Sequence, residues 1–333
     1  MKSPITGKEM ILTKEKRKLS FRKEEIIITH HSYLCEKTGE QFETDEITDL
    51  NLTQVYNQYR EKHNLPFPEE IKEIRQKYGL SAAKMSEILG FGINTYRSYE
   101  AGEIPNTSSA RLIQSAGDPE EFQNMLIRSN VFSEKEQETF LKKINIIIDT
   151  DNKANFVENL LKSHAPSALN GYRRLNIDKS FNLVLYLAEN LQPWKTQLNK
   201  LLFYCDFHNY RKYGHSITGL CYIAIPRGPV PDRYEYLFSI AEDFGFIERT
   251  LIDISRDKEG EKISPKSGKE FDESKFLPEE FSTIKEVISH YGHLNTTKII
   301  EHSHKEKGWI DNEATHRPIC YDYGFELLPP PPI

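Results

Sequence analysis

The run from Leu80 to Gly102 constrains the fold more than any other part of this 333-residue chain. Ser81 stands where a helix can be capped, and Gly90 and Gly102 stand where helices stop. Between them, Ala83 is small enough to let a neighbouring helix approach closely. Met85, Leu89, Tyr96 and Tyr99 recur at the spacing of a core face. Gly90 falls where a tight turn needs a residue tolerant of positive φ. The spacing predicts two short helices, one from Ser81 to Leu89 and one from about Ile93 to Ala101, crossing at a steep angle. Asn94, Thr95, Arg97 and Ser98 are left on the free leading face of the second helix.

More short helices surround this pair. Glu69–Tyr78 carries Ile71 and Ile74 and stops at Gly79; Ser108–Ala116 follows, and Asp118-Pro119 opens another in the cap-then-proline manner. With 38% hydrophobic and 28% charged residues, the chain can build cores and is not wholly disordered. Its net charge of −6 gives no whole-molecule attraction for nucleic acid, so any such site must be local. Residues 69–128 hold 7 basic and 9 acidic side chains, whereas residues 1–23 hold eight Lys or Arg against two Glu. Phosphate contacts dominate DNA affinity, so dimerisation or the basic stretch would have to help.

The four exposed positions suit base reading. Asn can bond adenine through two hydrogen bonds, Arg can do so with guanine, and Thr and Ser reach phosphate or base edges. The bland alternative is an ordinary three-helix bundle with polar residues outside. The run resembles the Cro/repressor-type helix-turn-helix, in the version found in MqsA-like antitoxins, which join a zinc ribbon to a helix-turn-helix. In that family an Asn and an Arg of the recognition helix carry base contacts. Asn94 matches the Asn. The family's Arg position holds Ser98 here, and Arg97 stands one place earlier.

Residues 1–48 read as a β-ribbon. Ile26-Ile27-Ile28-Thr29 is β-branched, and Thr38-Gly39-Glu40 turns between Tyr33-Leu34-Cys35 and Gln41-Phe42. Residues 49–63 keep helical spacing through Leu52, Val55, Tyr56 and Tyr59, and Leu65-Pro66-Phe67-Pro68 breaks the chain. Ser3-Pro4-Ile5-Thr6-Gly7 and Cys35-Glu36-Lys37-Thr38-Gly39 resemble the two knuckles of that family's zinc ribbon, each C-x-x-C-G. Ser3, Thr6 and Thr38 replace three of the four cysteines. A closed zinc site needs four soft ligands, so no metal or other cofactor is expected. His30 and His31 fall on alternate strand faces. In the family the ribbon binds the toxin.

Residues 129–175 read as a helical connector with one or two charge-laced helices, and Ala165-Pro166-Ser167 is the clearest linker. Beyond it, helices are expected at Phe181–Leu191, Trp194–Tyr213, Pro231–Asp243, Pro278–Tyr291 and Thr296–Glu306. Strands are expected at Leu220–Ile225 and Phe246–Ile254, and an extended Pro329–Pro332 run follows. Leu198, Leu201, Leu202, Cys205 and Phe207 should form a buried helix face. Gly228-Pro229-Val230-Pro231 reads as a rigid turn. Six tyrosines lie between 204 and 236, most of them expected in the core. Arg227, Arg233 and Tyr234 are the surface residues best suited to a protein partner. Residues 176–328 resemble the SocA-like Panacea domain through Leu198-Asn199-Lys200-Leu201-Leu202-Phe203-Tyr204-Cys205-Asp206, Ile217-Thr218-Gly219, Gly228-Pro229-Val230-Pro231, Tyr291-Gly292 and His302-Ser303-His304…Trp309. That resemblance implies an α+β fold that neutralises a toxin by direct contact; some members deliver partners to a protease.

No catalytic set emerges. His302 and His304 lie on different sides of a helix, and His290 and His293 could share a face, but no carboxylate or cysteine spacing completes a site. Cys205 sits in an apolar helical pattern, where an inert thiol is expected. No phosphate-cradling glycine loop is present.

The sequence is therefore read as α+β in three parts: a small N-terminal β-ribbon (1–48), an all-α helix-turn-helix domain (49–128) followed by the connector, and a C-terminal α+β Panacea-like domain. The expected function is a type II antitoxin that binds operator DNA as a homodimer and neutralises a cognate toxin protein, with a protease as a further partner. Four scattered cysteines, no secretory apolar segment and no membrane-length apolar run place it in the cytoplasm, away from membranes. A proteolytic adaptor, a stand-alone transcriptional regulator and an enzyme acting through the C-terminal histidines remain open alternatives.

Overall fold

The computed structural model describes residues 1–161, 163–255 and 258–332. It is α+β. A long hairpin opens the chain, β1 (Ile11–Phe21) against β2 (Glu24–Leu34), and β2 also pairs with the short β3 (Gln41–Phe42). The hairpin turn is made by Arg22 and Lys23, both at positive φ, as a two-residue turn matched to strand twist requires. The basic β1 was not apparent as a strand because its Lys and Arg side chains are mostly exposed and mask the alternation. Its partner β2 carries the apolar face, with Ile26 and Ile28 buried. Next comes α1 (Asp45–His63). Asn51 clamps the His31 backbone, accepting from its N–H at 2.9 Å and donating to its carbonyl at 2.9 Å, and Gln54 does the same for Thr29 at 3.0 Å each way.

The chain forms two compact units, one from residues 1–55 with 163–333, the other from residues 56–162. The second holds α2 (Pro68–Lys77), α3 (Ala82–Ile88), α4 (Thr95–Glu100), α5 (Thr107–Ser115), α6 (Pro119–Ser129) and α7 (Glu134–Leu160). Caps fix their starts, at Ser81 and Asp118 as the sequence indicates and at Asn106 for α5, which begins one residue earlier than the expected Ser108. Ser81 accepts from Lys84 N–H, Asn106 from Ser109 N–H, and Asp118 from Glu120 and Glu121 N–H, with Pro119 at the first helical position. One core joins Ile71, Met85, Leu89, Tyr96, Tyr99, Ile113, Phe122 and Leu126, and Ile144 of α7 adds to it.

In the first unit the later elements are α8 (Ile177–Leu191), α9 (Lys195–Tyr213), β4 (Tyr222–Ile225), β5 (Gly228–Pro231), α10 (Tyr234–Asp243), β6 (Ile247–Ser255), β7 (Lys258–Pro265), α11 (Pro278–Tyr291), α12 (Thr296–Ser303) and α13 (Lys307–Ile310). The centre of α9 is buried on every side, not on one face: Lys200, Tyr204 and Asp206 are as enclosed as Leu198, Leu201 and Leu202. Gly228-Pro229-Val230-Pro231 is a strand rather than a bare turn. It pairs with β4 in the register Tyr222↔Pro231 to Ile225↔Gly228, around the two-residue turn Pro226-Arg227. Prolines at alternate positions donate nothing, so they suit a strand in a two-stranded sheet. The pairing of β6 with β7 continues past the one strand expected there. From Leu327 to Pro332 the backbone belongs to no helix or strand. The ribbon packs within this same unit: Lys14 donates to the Phe325 carbonyl, and the rings of His31 and Phe325 meet edge-on at 4.8 Å.

Candidate nucleic-acid interface and partner surface

The inner side of α4 is firmly held. Tyr96 is fully buried, its N–H donates to the Ser86 hydroxyl at 3.0 Å, and its phenol donates to the Ile71 carbonyl at 2.7 Å. Burial pushes that phenol far above its ordinary range. Arg75 Nε meets the Glu100 carboxylate at 2.6 Å and anchors the far end of the helix on α2. Gly90 has φ +71°, the left-handed turn its position demanded.

The outer side is different. Asn94 and Arg97 are exposed, and Thr95 and Ser98 are half-buried. Asn94 occupies the N-cap position, yet its side chain makes no capping hydrogen bond. Asn94, Arg97 and Ser98 stand three and four residues apart and so share one face. The sequence reading missed Ile93, which is 73% exposed in the turn immediately before them. An exposed β-branched side chain beside an amide is the signal that could have found it.

Ser3, Thr6, Cys35 and Thr38 do converge. The Thr6 hydroxyl lies 3.5 Å from Cys35 Sγ, and hydrogen bonds from Ser3, Thr38 and Thr6 draw the buried thiol down to about 6. Both turns close as knuckles: Gly7 N–H donates to Ser3 O at 2.8 Å, and Gly39 N–H donates to Cys35 O at 2.8 Å. One thiol with three hydroxyls does not fit a tetrahedral zinc site. Hydrogen bonds tie together here what four thiolates would tie through a metal. His30 and His31 do separate: His30 Nε2 faces Arg17 and Glu43 at 3.0 Å each, while burial drops His31 to about 4.

In the C-terminal region the sequence signatures meet in space. Lys200 is fully buried, and its ammonium donates to the Pro229 carbonyl at 2.9 Å. A Cβ on Gly228 would sit 2.7 Å from Lys200 Cε and 2.6 Å from the Ser303 hydroxyl, so only glycine lets this strand pass. Burial, then the charge of Arg227, lowers the Lys200 ammonium to about 7. Asp206, also fully buried, accepts from Ile217 N–H, Thr218 N–H, the Thr218 hydroxyl and the Tyr222 phenol at 2.6–2.9 Å. Burial raises its carboxyl while those donors oppose the rise. Tyr204 reaches His302 Nδ1 at 2.9 Å and the Glu306 carboxylate at 3.3 Å, and stacks on Tyr291 at 4.0 Å. This buried network was hidden in a helix read as apolar.

Arg227 is exposed at the tip of the β4–β5 turn. Arg233, at φ +58° before α10, lies over the Tyr236 ring at 5.8 Å, and Tyr234 packs edge-on against Phe238. Tyr234 is half-buried, and its phenol is raised by burial and then by Glu235, with Lys195 and Arg227 opposing the rise. Of the tyrosines expected in the core, Tyr204, Tyr210 and Tyr222 are there, while Tyr236 is half exposed. Cys205 is fully buried and its thiol is pushed well up, as an inert group should be. His302 and His304 diverge as expected, His302 toward Tyr204 and His304 onto Trp309 at 4.0 Å. His290 and His293 do not share a helix face, because α11 ends at Tyr291.

Residues 1–117 match the family model described as the antitoxin component of bacterial toxin-antitoxin system, MqsA. Residues 198–310 match the model for the antitoxin SocA-like, Panacea domain. Two separate stretches of the chain are thus similar to antitoxin domains. No curated protein matches it. The MqsA-like region spans the ribbon, its hydroxyl knuckles and α4. The Panacea match begins inside α9 and closes at α13, so it holds Lys200, Asp206, Gly228 and the surface residues Arg227, Arg233 and Tyr234. Both α8 and the Leu327–Pro332 segment lie outside it. Among the described residues, no helix is long and apolar enough to cross a membrane, and no three His, Cys, Asp or Glu side chains gather to hold a metal ion.

Proposed function

We propose that this antitoxin reads operator DNA with the outer face of α4 and neutralises a cognate toxin through its Panacea domain. One observation carries the DNA half. Among the described residues, Asn94 and Arg97 are exposed with no side-chain partner, on a helix whose inner side is fixed by Tyr96, Tyr99 and Arg75. A rigid helix with idle donors and acceptors on one face has the form of a recognition element. Asn94 would bond an adenine edge and Arg97 a guanine edge. Thr95 and Ser98 would hold phosphate or base edges, and Ile93 would meet a thymine methyl. Operator binding as a homodimer would place two such helices about one DNA turn, roughly 34 Å, apart.

For the toxin, Arg227, Arg233 and Tyr234 offer a cationic and aromatic surface of the kind that dominates protein interfaces. A non-enzymatic role is supported by how the histidines of this half are spent. His208 bonds the Tyr291 phenol, His302 the Tyr204 phenol, His215 contacts Asn209, and His316 contacts the Ala224 carbonyl, so each ring is held by a structural partner. The role fits a cytoplasmic protein with no membrane partner.

The test is titration of the intact chain into a duplex carrying its own promoter, followed by anisotropy. Asn94→Ala and Arg97→Ala should each cost about 1–3 kcal/mol of binding and leave the melting temperature unchanged. Undiminished affinity in both variants would remove α4 from the interface.

A further inference from the structure

Leu327 buries its side chain in the core, and the rest of the Leu327–Pro332 segment is held by hydrogen bonds to its backbone. Arg211 Nη1 donates to Leu327 O at 3.3 Å, Leu328 N–H donates to Glu306 Oε2 at 3.1 Å, and His290 Nδ1 lies 2.9 Å from Pro331 O. The His302 ring bonds the Pro329 backbone, which can only be its carbonyl because proline has no N–H. The groove thus supplies donors at Leu327, Pro329 and Pro331 and one acceptor at Leu328. Beyond Leu328 none of these bonds calls on a backbone N–H, so a proline run satisfies them all. Beside Pro330 a cavity of about 310 Å³ is lined by His208, Arg211, Val287, His290 and Tyr291, among others. Pro330 forms part of its wall and leaves it unfilled.

We propose that this groove between α9, α11 and α12 is a receptor for a proline-rich extended segment of a partner protein, and that Leu327–Pro332 is its resident occupant. The favoured incoming segment carries an aromatic side chain in place of Pro330, which fills the cavity and gives it the advantage over the resident run. Aromatic and histidine-lined grooves suit such ligands because the proline backbone is already extended and loses little entropy on docking. The inference does not depend on the antitoxin reading and needs no toxin to test.

The probe is the synthetic peptide Leu-Leu-Pro-Trp-Pro-Pro added to the intact chain, with hydrogen exchange of the Leu328 amide as readout. Displacement should speed that exchange at least tenfold, because the amide loses Glu306. The same peptide with glycine for every proline should have at least tenfold less effect. In the His290→Ala variant, with near-UV dichroism confirming its fold, labelled peptide should bind at least tenfold more weakly. Unchanged Leu328 exchange at millimolar peptide would overturn the proposal, as would an equal effect of the glycine peptide. Both of those readouts use the unaltered chain, so neither depends on how the variant folds.

Discussion

Neighbouring residues on α4 serve opposite ends. Tyr96 belongs to the fold, through its phenol on the Ile71 carbonyl, and Asn94 has nothing to hold. Tyr96→Phe should cost about 1 kcal/mol of stability in urea unfolding, the usual worth of one hydrogen bond, whereas Asn94→Ala should cost none. Lys200 gives a second test. Its ammonium is lowered from 10.5 to about 7 by burial, so between those values the unfolded chain binds a proton that the folded chain has released. Stability should therefore rise with pH across that window, by about 1.4 kcal/mol per unit, and the contribution is constant below it. Urea unfolding at pH 7.5 and 9.5 should show this gain in the native chain and its loss in Lys200→Met; equal gains would contradict the assignment. The residues of α4 were legible in the sequence because glycine, cap and aromatic positions fix the register. Those of α9 were not, because Lys200 and Asp206 look like surface residues until the partners that satisfy them arrive from Pro229, Thr218 and Tyr222.

Among the elements, the ribbon shows what replaces a metal. Its two knuckles keep their turns, and Ser3, Thr6 and Thr38 converge on Cys35. Prolonged treatment with a strong chelator should leave the melting temperature and near-UV dichroism unchanged; a fall of several degrees would show a bound metal. The loss of ligands was readable from Ser3, Thr6 and Thr38, but their convergence was not, since it depends on tertiary packing. The same limit explains β5. Two prolines in four residues argue for a turn locally, and only the register with Tyr222–Ile225 reveals a strand. Helix starts were readable where Ser81, Asp118 or Pro278 marks them.

For the whole molecule, composition places a boundary at Ala165-Pro166-Ser167, while the chain leaves the first compact unit at Val55 and re-enters it at Ser163. The sequence has no means of showing that residues 1–55 fold with that unit, because those contacts join positions far apart. Lys14 and His31 meet Phe325, and Thr53 packs where a Cβ on Gly214 would come within 2.9 Å. Residues 163–333 expressed alone should therefore melt lower than the same fragment combined with residues 1–55; identical melting would contradict the shared unit. The proposed function joins a DNA-reading helix to a toxin-neutralising domain in one chain. Its most direct test is growth of cells expressing the toxic product of the adjacent gene together with variants of the intact chain. Rescue should survive Asn94→Ala with Arg97→Ala, and should be lost with Arg227→Glu, Arg233→Glu and Tyr234→Ala combined. Failure of the unaltered chain to rescue, or rescue that depends on Asn94 and Arg97 and ignores the other three, would contradict it.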